Sequence, residues 1–214
     1  MKQIWLVRHA ESVANAGGAT PDPVSIPLTD KGQDQAKKLA SAFVEKPDLF
    51  ITSPFLRTKQ TAAPTLAKFP DVPAEEWAVQ EFSYLSPVVW ANTSSEDRAP
   101  RTDHYWEECD PDYHDGDGAE SFNDLIGRVD NAMIDLYMRP EKRIVMFSHG
   151  QFLKALWMYL VTDIFKINPK DRMKKIDLFI KAVNFPNTGI LKMVNISDGE
   201  GWLLSSLSTK HLGR

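Results

Sequence analysis

A short apolar run close to the start of the chain, residues 4–7, ends abruptly in Arg8 and His9. A run of this kind is typical of a β-strand that is buried on both faces, and such strands occur in parallel sheets covered by helices. Open parallel sheets bind ligands at the carboxyl ends of their strands. The run therefore predicts an α/β fold, with Arg8 and His9 at the edge of the sheet where ligands bind.

The order of apolar run, polar strand end and amphipathic helix recurs along the chain. Residues 48–52 and 143–147 are two further strand candidates, and residues 77–80 are a weaker one. Later strands are predicted at residues 178–185, 190–196 and 202–207, after a polar connection at residues 166–175. Together these segments predict a three-layer α/β/α fold with a mostly parallel central sheet and some antiparallel late strands.

The helix boundaries are predicted from capping residues and prolines. Thr29 opens the first helix and Pro47 closes it. Ser53 is the predicted N-cap of the second helix, which Pro64 should kink or end. Ser121 resembles the first residue of a capping box, so a long helix is expected to begin there.

Residues 82–117 show no sustained period. They carry nine acidic residues against two arginines, Arg98 and Arg101, with six aromatic residues interspersed. We interpret this segment as an insertion that caps the edge of the sheet where ligands bind. The remaining residues are enough for one ordinary domain, so a single domain covering residues 1–214 is expected.

Composition excludes several classes of protein. A net charge of -4 argues against a general nucleic-acid-binding surface, and the longest apolar run, residues 155–161, is far too short to cross a bilayer. Neither a nucleic-acid nor a membrane partner is therefore expected. A single cysteine, Cys109, cannot form an internal disulfide, and no apolar leader precedes the first strand, so cytoplasmic residence is expected.

Four predicted strands end in polar groups that suit an anion. These groups are Arg8 with His9, Ser53 leading to Arg57, Glu81, and Ser148 leading to His149. Two arginines and two histidines in one place would repel each other unless a dianion lay between them, and phosphate is the commonest such ligand. The chain has neither a glycine-rich phosphate loop with lysine nor an aspartate cluster suited to magnesium. A histidine nucleophile acting without a metal or cofactor therefore fits better than a nucleoside triphosphate enzyme.

These segments resemble the motifs of the histidine phosphatase superfamily, which includes cofactor-dependent phosphoglycerate mutases and many phosphatases. The matching segments are Arg8-His9-Ala10 with Asn15, Pro27-Leu28-Thr29-Asp30-Lys31-Gly32, Ser53-Pro54-Phe55-Leu56-Arg57 with Gln60-Thr61-Ala62, Gly118-Ala119-Glu120-Ser121, and Ser148-His149-Gly150. The one departure is Ala10, where the family usually has glycine. Alanine makes the turn stiffer but still allows close approach.

The resemblance implies a role for each candidate residue. His9 would be the nucleophile that is phosphorylated, Arg8, Arg57 and His149 would bind the transferred phosphoryl group, Glu81 would be the general acid, and Ser12 and Asn15 would be weaker phosphate contacts. Glu75 and Glu76 stay open as alternative acids. The implied partner is a small-molecule phosphate monoester, and a phosphoprotein substrate stays open.

Hydrolysis has two competitors. A mutase of the phosphoglycerate mutase type would pass the phosphoryl group to a second phosphorylated substrate and would need extra basic residues in the insertion. The acidic balance of residues 82–117 therefore favours hydrolysis. A phospho-ligand-binding module would keep the pocket without turnover, but the presence of both the nucleophile and a candidate acid argues against it.

Overall fold

The computed structural model describes residues 1–195 and 201–213. The strands in these residues are β1 (Lys2–Arg8), β2 (Leu49–Thr52), β3 (Ala74–Glu76), β4 (Arg143–Ser148), β5 (Ile190–Asn195) and β6 (Leu203–Leu204). The α-helices are α1 (Asp30–Ala40), α2 (Leu56–Lys68), α3 (Pro87–Trp90), α4 (Ser95–Glu108), α5 (Phe122–Met138), α6 (Gly150–Val161) and α7 (Pro169–Ala182).

One six-stranded sheet in the order β3-β2-β4-β1-β5-β6 forms the centre of the molecule. Strands β1 to β4 are mutually parallel, whereas β5 and β6 run antiparallel to their neighbours. The register pairs Arg8 with Ser148 and Thr52 with Phe147. The carboxyl ends of β1, β2 and β4 consequently lie side by side, as the sequence predicts.

Successive strand residues point to opposite sides of the sheet, so apolar side chains project from both faces, and helices cover both. On one face Val7, Phe50 and Phe147 pack under α1 and α2. On the other face Ile4 and Met146 pack with α5, α6 and α7. The predicted apolar stripe of α5 is buried along its whole length: Phe122, Leu125, Ile126, Val129, Met133 and Leu136. The predicted three-layer fold is confirmed.

Local signals placed some helix ends correctly and others wrongly. The Ser121 hydroxyl and the Asp124 side chain form the expected capping box, and Thr29 caps α1 through the Gly32 amide. Helix α1 nevertheless ends at Ala40, well before Pro47. Here the last turn closes early, because the Ser41 backbone amide donates back to the Lys38 and Leu39 carbonyls.

Ser53 is not the N-cap of α2, so that prediction was wrong. The helix begins two residues later, after Phe55, and the Ser53 hydroxyl instead accepts from the Phe55 amide within the connecting turn. Pro64 does not end the helix either, since α2 continues to Lys68. Thr61, Ala62 and Thr65 are buried in this part of the helix, and their tertiary packing holds it across the proline.

Two strand predictions were wrong. Strand β3 occupies Ala74–Glu76 rather than residues 77–80, because its place is set by pairing with β2 and not by its own apolar residues. Residues 178–185 lie mostly in α7, not in a strand. The start signal of α7 was present in the sequence, since Asn168 accepts from the Asp171 amide and Pro169 takes the first helical position.

The remaining late strands match the structure in part. Residues 190–195 form β5, and of residues 202–207 only Leu203–Leu204 pairs as a strand. Residue 196, the last of the predicted 190–196 strand, lies outside the described residues.

The insertion, residues 82–117, is more regular than its sequence indicates. It contains α3 and the 14-residue helix α4, which starts with a capping box between Ser94 and Asp97. The period of α4 is hard to read because only Arg98, Tyr105 and Trp106 are buried in it, and one of them is charged.

Candidate active site

A cavity of about 350 Å³ opens at the carboxyl ends of the parallel strands. It is lined by five of the residues that the sequence singles out: His9, Ser12, Asn15, Arg57 and Glu81. The other two lie directly behind this lining. His149 is fully buried with its ring 5.1 Å from that of His9. Arg8 and Glu81 both lie close to Gly150. A Cβ atom built on that glycine would be 3.4 Å from Arg8 Nε and 3.7 Å from Glu81 Oε2. We call Arg8, His9, Arg57 and His149 the phosphate end of the cavity.

His9 is buried and held in one orientation. Its Nδ1 lies 2.7 Å from the Ala10 carbonyl oxygen, and Arg57 Nε donates to its Nε2 at 3.3 Å. A carbonyl oxygen can only accept, so Nδ1 carries the proton and Nε2 presents its lone pair. Burial and the charges of Arg57 and Arg8 hold the pKa of His9 well below its usual value. The imidazole is therefore neutral and nucleophilic at neutral pH.

Ala10 is accommodated without strain. It is fully buried, packs with Leu28 and Ala36, and does not have a positive φ. Its amide donates to the Thr61 hydroxyl at 2.9 Å. The glycine that is usual in the family is therefore not needed for the backbone conformation at this position.

The two arginines of the phosphate end are placed by backbone carbonyls. Arg57 Nη1 donates to the Pro23 carbonyl at 2.7 Å, and Arg8 Nη1 donates to the Phe185 carbonyl. Burial lowers the pKa of Arg57 to about 10, although nearby Glu81 raises it. Both guanidiniums are therefore charged at neutral pH, and Arg8 Nε is buried with no partner among the described residues. Arg57 lines the cavity, and Arg8 lies behind its lining.

His149 is oriented by Ser53. The His149 Nε2 lies 2.8 Å from the Ser53 hydroxyl, which already accepts from the Phe55 amide. Within the described residues no other acceptor takes the hydroxyl proton, so Ser53 donates to Nε2 and His149 Nδ1 carries the ring proton. That buried Nδ1 has no partner in the described part of the chain. Burial and the Arg57 charge hold the pKa of His149 well below its usual value. Sequence reasoning missed this role of Ser53, because it assigned the hydroxyl to a helix cap.

Glu81 lies beside the first turn of α6. Its Oε1 accepts from the backbone amides of Phe82, Gln151 and Phe152 at 3.2, 2.9 and 3.3 Å. Its Oε2 has no such donor in the described residues, which leaves that oxygen available to carry a proton. The alternative acids have other partners, since Glu75 binds Arg139 and Trp77, and Glu76 binds Lys59.

The segment that carries Glu81 is positioned by an ion pair that the sequence did not single out. Arg128 Nε and Nη2 donate to the two carboxylate oxygens of Glu120 at 2.6 and 2.8 Å, and its Nη1 donates to the carbonyls of Ala78 and Gln80. Glu120 also accepts from the Ser83 amide. The Gly118-Ala119-Glu120-Ser121 segment therefore supports the site from outside the cavity.

Ser12 and Asn15 also line the cavity, Ser12 fully buried and Asn15 exposed. The Asn15 Oδ1 accepts from the Ser12 amide at 3.3 Å and from Asn187 Nδ2 at 3.0 Å. Asn187 also donates to the His9 carbonyl at 3.0 Å. It therefore ties the turn after β1 to the segment before β5, a long-range link that no local pattern in the sequence indicates.

The insertion forms the opposite side of the cavity. Its lining residues include Tyr84, Trp90, Arg98, Thr102 and Asp103, and we call this set the insertion wall. Gln151, from α6, lies beside it. The sequence marked Arg98 only as one of two arginines in an acidic segment and did not place it in the site.

Within residues 1–195 and 201–213, no group of three or more histidine, cysteine, aspartate or glutamate side chains is placed to hold a metal ion. None of the helices in these residues is both long and apolar enough to span a bilayer.

Comparison with known proteins agrees with this geometry. The family model described as "Histidine phosphatase superfamily (branch 1)" matches residues 4–172. The chain is 24% identical over 167 residues to a metal-independent phosphoserine phosphatase of Arabidopsis thaliana, an alignment that covers 73% of this chain and 67% of the plant protein. It is also 39% identical over 61 residues to an adenosylcobalamin/alpha-ribazole phosphatase of Salmonella typhimurium, covering 28% of this chain and 30% of that protein.

Solved structures show the same fold. A mutant phosphoserine phosphatase from Entamoeba histolytica in complex with phosphoserine matches with a TM-score of 0.73 and 22% identity, covering 99% of this chain and 100% of that chain. The alpha-ribazole phosphatase from Shigella flexneri matches with a TM-score of 0.74 and 19% identity, covering 97% of this chain and 96% of that chain.

Proposed function

Because this chain belongs to the histidine phosphatase superfamily, we propose that it is a metal-independent phosphatase that hydrolyses a small phosphate monoester through a phosphohistidine formed on His9. One observation carries this proposal. The Nδ1 proton of His9 is bound to the Ala10 carbonyl, so Nε2 carries no proton, and its lone pair accepts from Arg57 Nε until a phosphoryl oxygen takes over that donor. An imidazole held in this way needs no proton removed before it attacks phosphorus.

In the first step His9 Nε2 attacks phosphorus and the bond from phosphorus to the ester oxygen breaks. Glu81 gives its proton to the departing alkoxide through Oε2, the oxygen that accepts no backbone amide in the described residues. Arg8, Arg57 and the His149 Nδ1 proton hold the phosphoryl oxygens, whose charge must be stabilised throughout the transfer. Ser12 and Asn15 are weaker phosphate contacts.

In the second step a water molecule attacks the phosphohistidine. Glu81, now ionised, takes a proton from that water, the bond from phosphorus to His9 Nε2 breaks, and inorganic phosphate leaves. The protonation states of Glu81 and His9 are thereby restored. Every charge on the phosphoryl group is met by protein side chains, so the cycle requires no metal or other cofactor.

The relatives point to substrates of modest size. Among them are phosphoserine phosphatases and ribazole phosphatases, so these phosphorylated small molecules are the first candidates to test. A cavity of about 350 Å³ suits a compact monoester better than a folded phosphoprotein. A cytoplasmic location is part of the proposal, supported by the single cysteine, which is free and buried.

Phosphoryl transfer to a second substrate is the alternative, and Arg98 is the observation that favours it. The acidic composition of the insertion argued against extra basic residues for a second anionic group. In the structure Arg98 nevertheless lines the cavity, and the charge of Asp115, one of the insertion's acids, is offset by its ion pair with Arg101. Hydrolysis remains the better proposal, because Arg98 is the only Arg or Lys that the described insertion wall contributes. Isomerisation of 3-phosphoglycerate that outruns phosphate release, with the bisphosphate primer present, would favour the mutase instead.

The phosphohistidine is tested by trapping. Wild-type protein mixed with a labelled phosphate monoester and quenched in base should carry acid-labile, base-stable phosphate, and His9→Ala should carry none and lose turnover. His104→Ala is the matched control, because that histidine is exposed on α4. Turnover by His9→Ala within about tenfold of wild type would remove His9 as the nucleophile, and a pocket that binds phosphate esters without releasing phosphate would point to a binding module.

A further inference from the structure

Three arginines in or beside the insertion differ in how one edge of the guanidinium is used. The Nε and Nη2 groups of an arginine point to the same side and fit the two oxygens of a carboxylate. Arg128 uses this edge on Glu120, with contacts of 2.6 and 2.8 Å. Arg101 uses this edge on Asp115: its Nε donates to the Asp115 carboxylate and its Nη2 donates to the Asp115 backbone carbonyl. In Arg98 neither Nε nor Nη2 donates to any residue in the described ranges 1–195 and 201–213.

Arg98 is nevertheless a fixed and buried side chain. Only 4% of its surface is exposed. Its Nη1 donates to the Thr93 carbonyl and hydroxyl at 2.7 and 2.9 Å. Its guanidinium carbon lies 3.7 Å from the centre of the Trp90 ring, so the plane is stacked and cannot rotate freely. The unused edge belongs to a preorganised cation in the wall of the cavity.

Other unsatisfied groups lie in the same cavity lining. The Trp90 Nε1 proton and the Gln151 Oε1 acceptor are both buried and have no partner in the described residues. Buried polar groups are nearly always hydrogen-bonded, so two such groups beside the unused edge of Arg98 are typical of a ligand-binding site. Arg98 supplies two donors for an anionic oxygen, while Trp90 Nε1 and Gln151 Oε1 lie buried under the same lining.

The charge of the wall selects the kind of anion. A second phosphate would bring two negative charges, and the phosphate end uses Arg8, Arg57 and His149 for such a group. Arg98 supplies a single charge, and Asp103 in the same wall opposes a dianion. A carboxylate carries one negative charge and has the planar shape that the unused edge of Arg98 fits.

We propose that the insertion wall binds a carboxylate of the substrate through Arg98, so that the preferred substrates are phosphate monoesters of hydroxy acids or hydroxyamino acids. This inference rests on the proposed phosphatase function and names its substrate class. Arg98 acts on specificity, since it lies on α4 and is not among the residues assigned to phosphoryl transfer.

The test compares substrates that differ only in the carboxylate. Phosphoserine is paired with phosphoethanolamine, and 3-phosphoglycerate is paired with glycerol 3-phosphate. Wild-type protein should favour the carboxylate member of a pair by about 10- to 100-fold in kcat/KM, the range expected for hydrogen bonds to a charged partner. Where neither member is turned over, the same ratio is expected in their inhibition of nitrophenyl phosphate hydrolysis.

Arg98→Gln should remove this preference, mainly by slowing the carboxylate members. Arg98→Lys keeps the charge without the planar fork and should restore only a small part of it. Arg101→Gln is the matched control, because Arg101 lies three residues away in the same helix and is bound to Asp115; it should keep the wild-type ratio.

Two outcomes would overturn the inference. One is a wild-type enzyme that hydrolyses both members of each pair equally well. The other is an Arg98→Gln variant that slows both members by the same factor, which would make Arg98 a structural residue. A wild-type protein that does not hydrolyse nitrophenyl phosphate is a separate result, because it would refute the proposed phosphatase function itself.

Discussion

The two ends of the cavity are built in different ways. The phosphate end is carried by the last residue of β1, by the residues that directly follow β1 and β4, and by the first turn of α2, so most of its side chains are placed by the sheet itself. The insertion wall is carried by α3, α4 and the loops around them, whose placement depends on a capping box and on stacked side chains such as Arg98 on Trp90.

This difference indicates a division of tasks. In the proposed function, the phosphate end binds the phosphoryl group that every substrate shares, and the insertion wall binds the part that differs between substrates. Variants of the phosphate end should therefore affect all substrates alike, whereas variants of the insertion wall should change the ratio between substrates. Each prediction below tests this division or the charge state on which it depends.

Glu81 lies beside the first turn of α6 and should give the largest selective effect. An alkoxide leaves poorly without a proton, whereas a nitrophenolate leaves unaided. Glu81→Gln should therefore lose about 10²–10⁴-fold on alkyl phosphates and far less on nitrophenyl phosphate. Steady-state kcat on both substrate types measures this, with Glu76→Gln as the control, since Glu76 is bound to Lys59. Equal losses on both types would make Glu81 a positioning residue.

Arg57 tests the phosphate end directly. Arg57→Gln removes a charge that should stabilise the phosphoryl oxygens, so kcat/KM should fall by about 10²–10³-fold on every substrate. The ratio within each carboxylate pair should stay at the wild-type value, in contrast to Arg98→Gln. A change in that ratio would contradict the division between the two ends.

Acid should destabilise the protein through the buried histidines. The pKa of His9 and of His149 is held well below the usual 6.5, so the unfolded chain binds these protons first as the pH falls. Their contribution is present above pH 6.5 and is lost progressively as the pH falls below it. Urea midpoints between pH 8 and pH 5 measure the slope.

A matched pair of variants assigns that slope. His149→Asn should make the slope shallower, with His9 supplying the remainder, and His104→Asn, at an exposed position on α4, should leave it unchanged. An equally steep slope in His149→Asn would show that other groups cause the loss.

The smallest expected effect is that of metal removal. The phosphate end meets the substrate charge with side chains alone, so exhaustive dialysis against a chelator should leave turnover unchanged on every substrate. Activity that disappears on dialysis and returns with a divalent ion would refute the charge assignment at the phosphate end.

Much of the fold and of the phosphate end follows from local sequence. The strand that ends in Arg8 and His9, the strand that ends in Ser148 and His149, and the capping box at Ser121 all lie where the sequence places them. The physical reason is that a buried strand and a capped helix start leave a signature within a few consecutive residues.

The errors lie where pairing or packing overrides local preference. Strand β3 is defined by its ladder with β2, and α7 by the buried residues Met173 and Ile176. Helix α4 was missed because an arginine takes a buried position that a periodic pattern assigns to an apolar residue.

The site divides in the same way. Sequence alone determined which residue types stand at the strand ends and in what order. Only the tertiary structure decided that the Ala10 carbonyl accepts the Nδ1 proton of His9 and that Ser53 orients His149. It also decided that Arg101 and Arg128 are paired with carboxylates, whereas no described residue accepts from Nε or Nη2 of Arg98. Hydrogen-bond partners and the charge around a buried group depend on segments that are distant in the chain, and no local pattern records which of them meet.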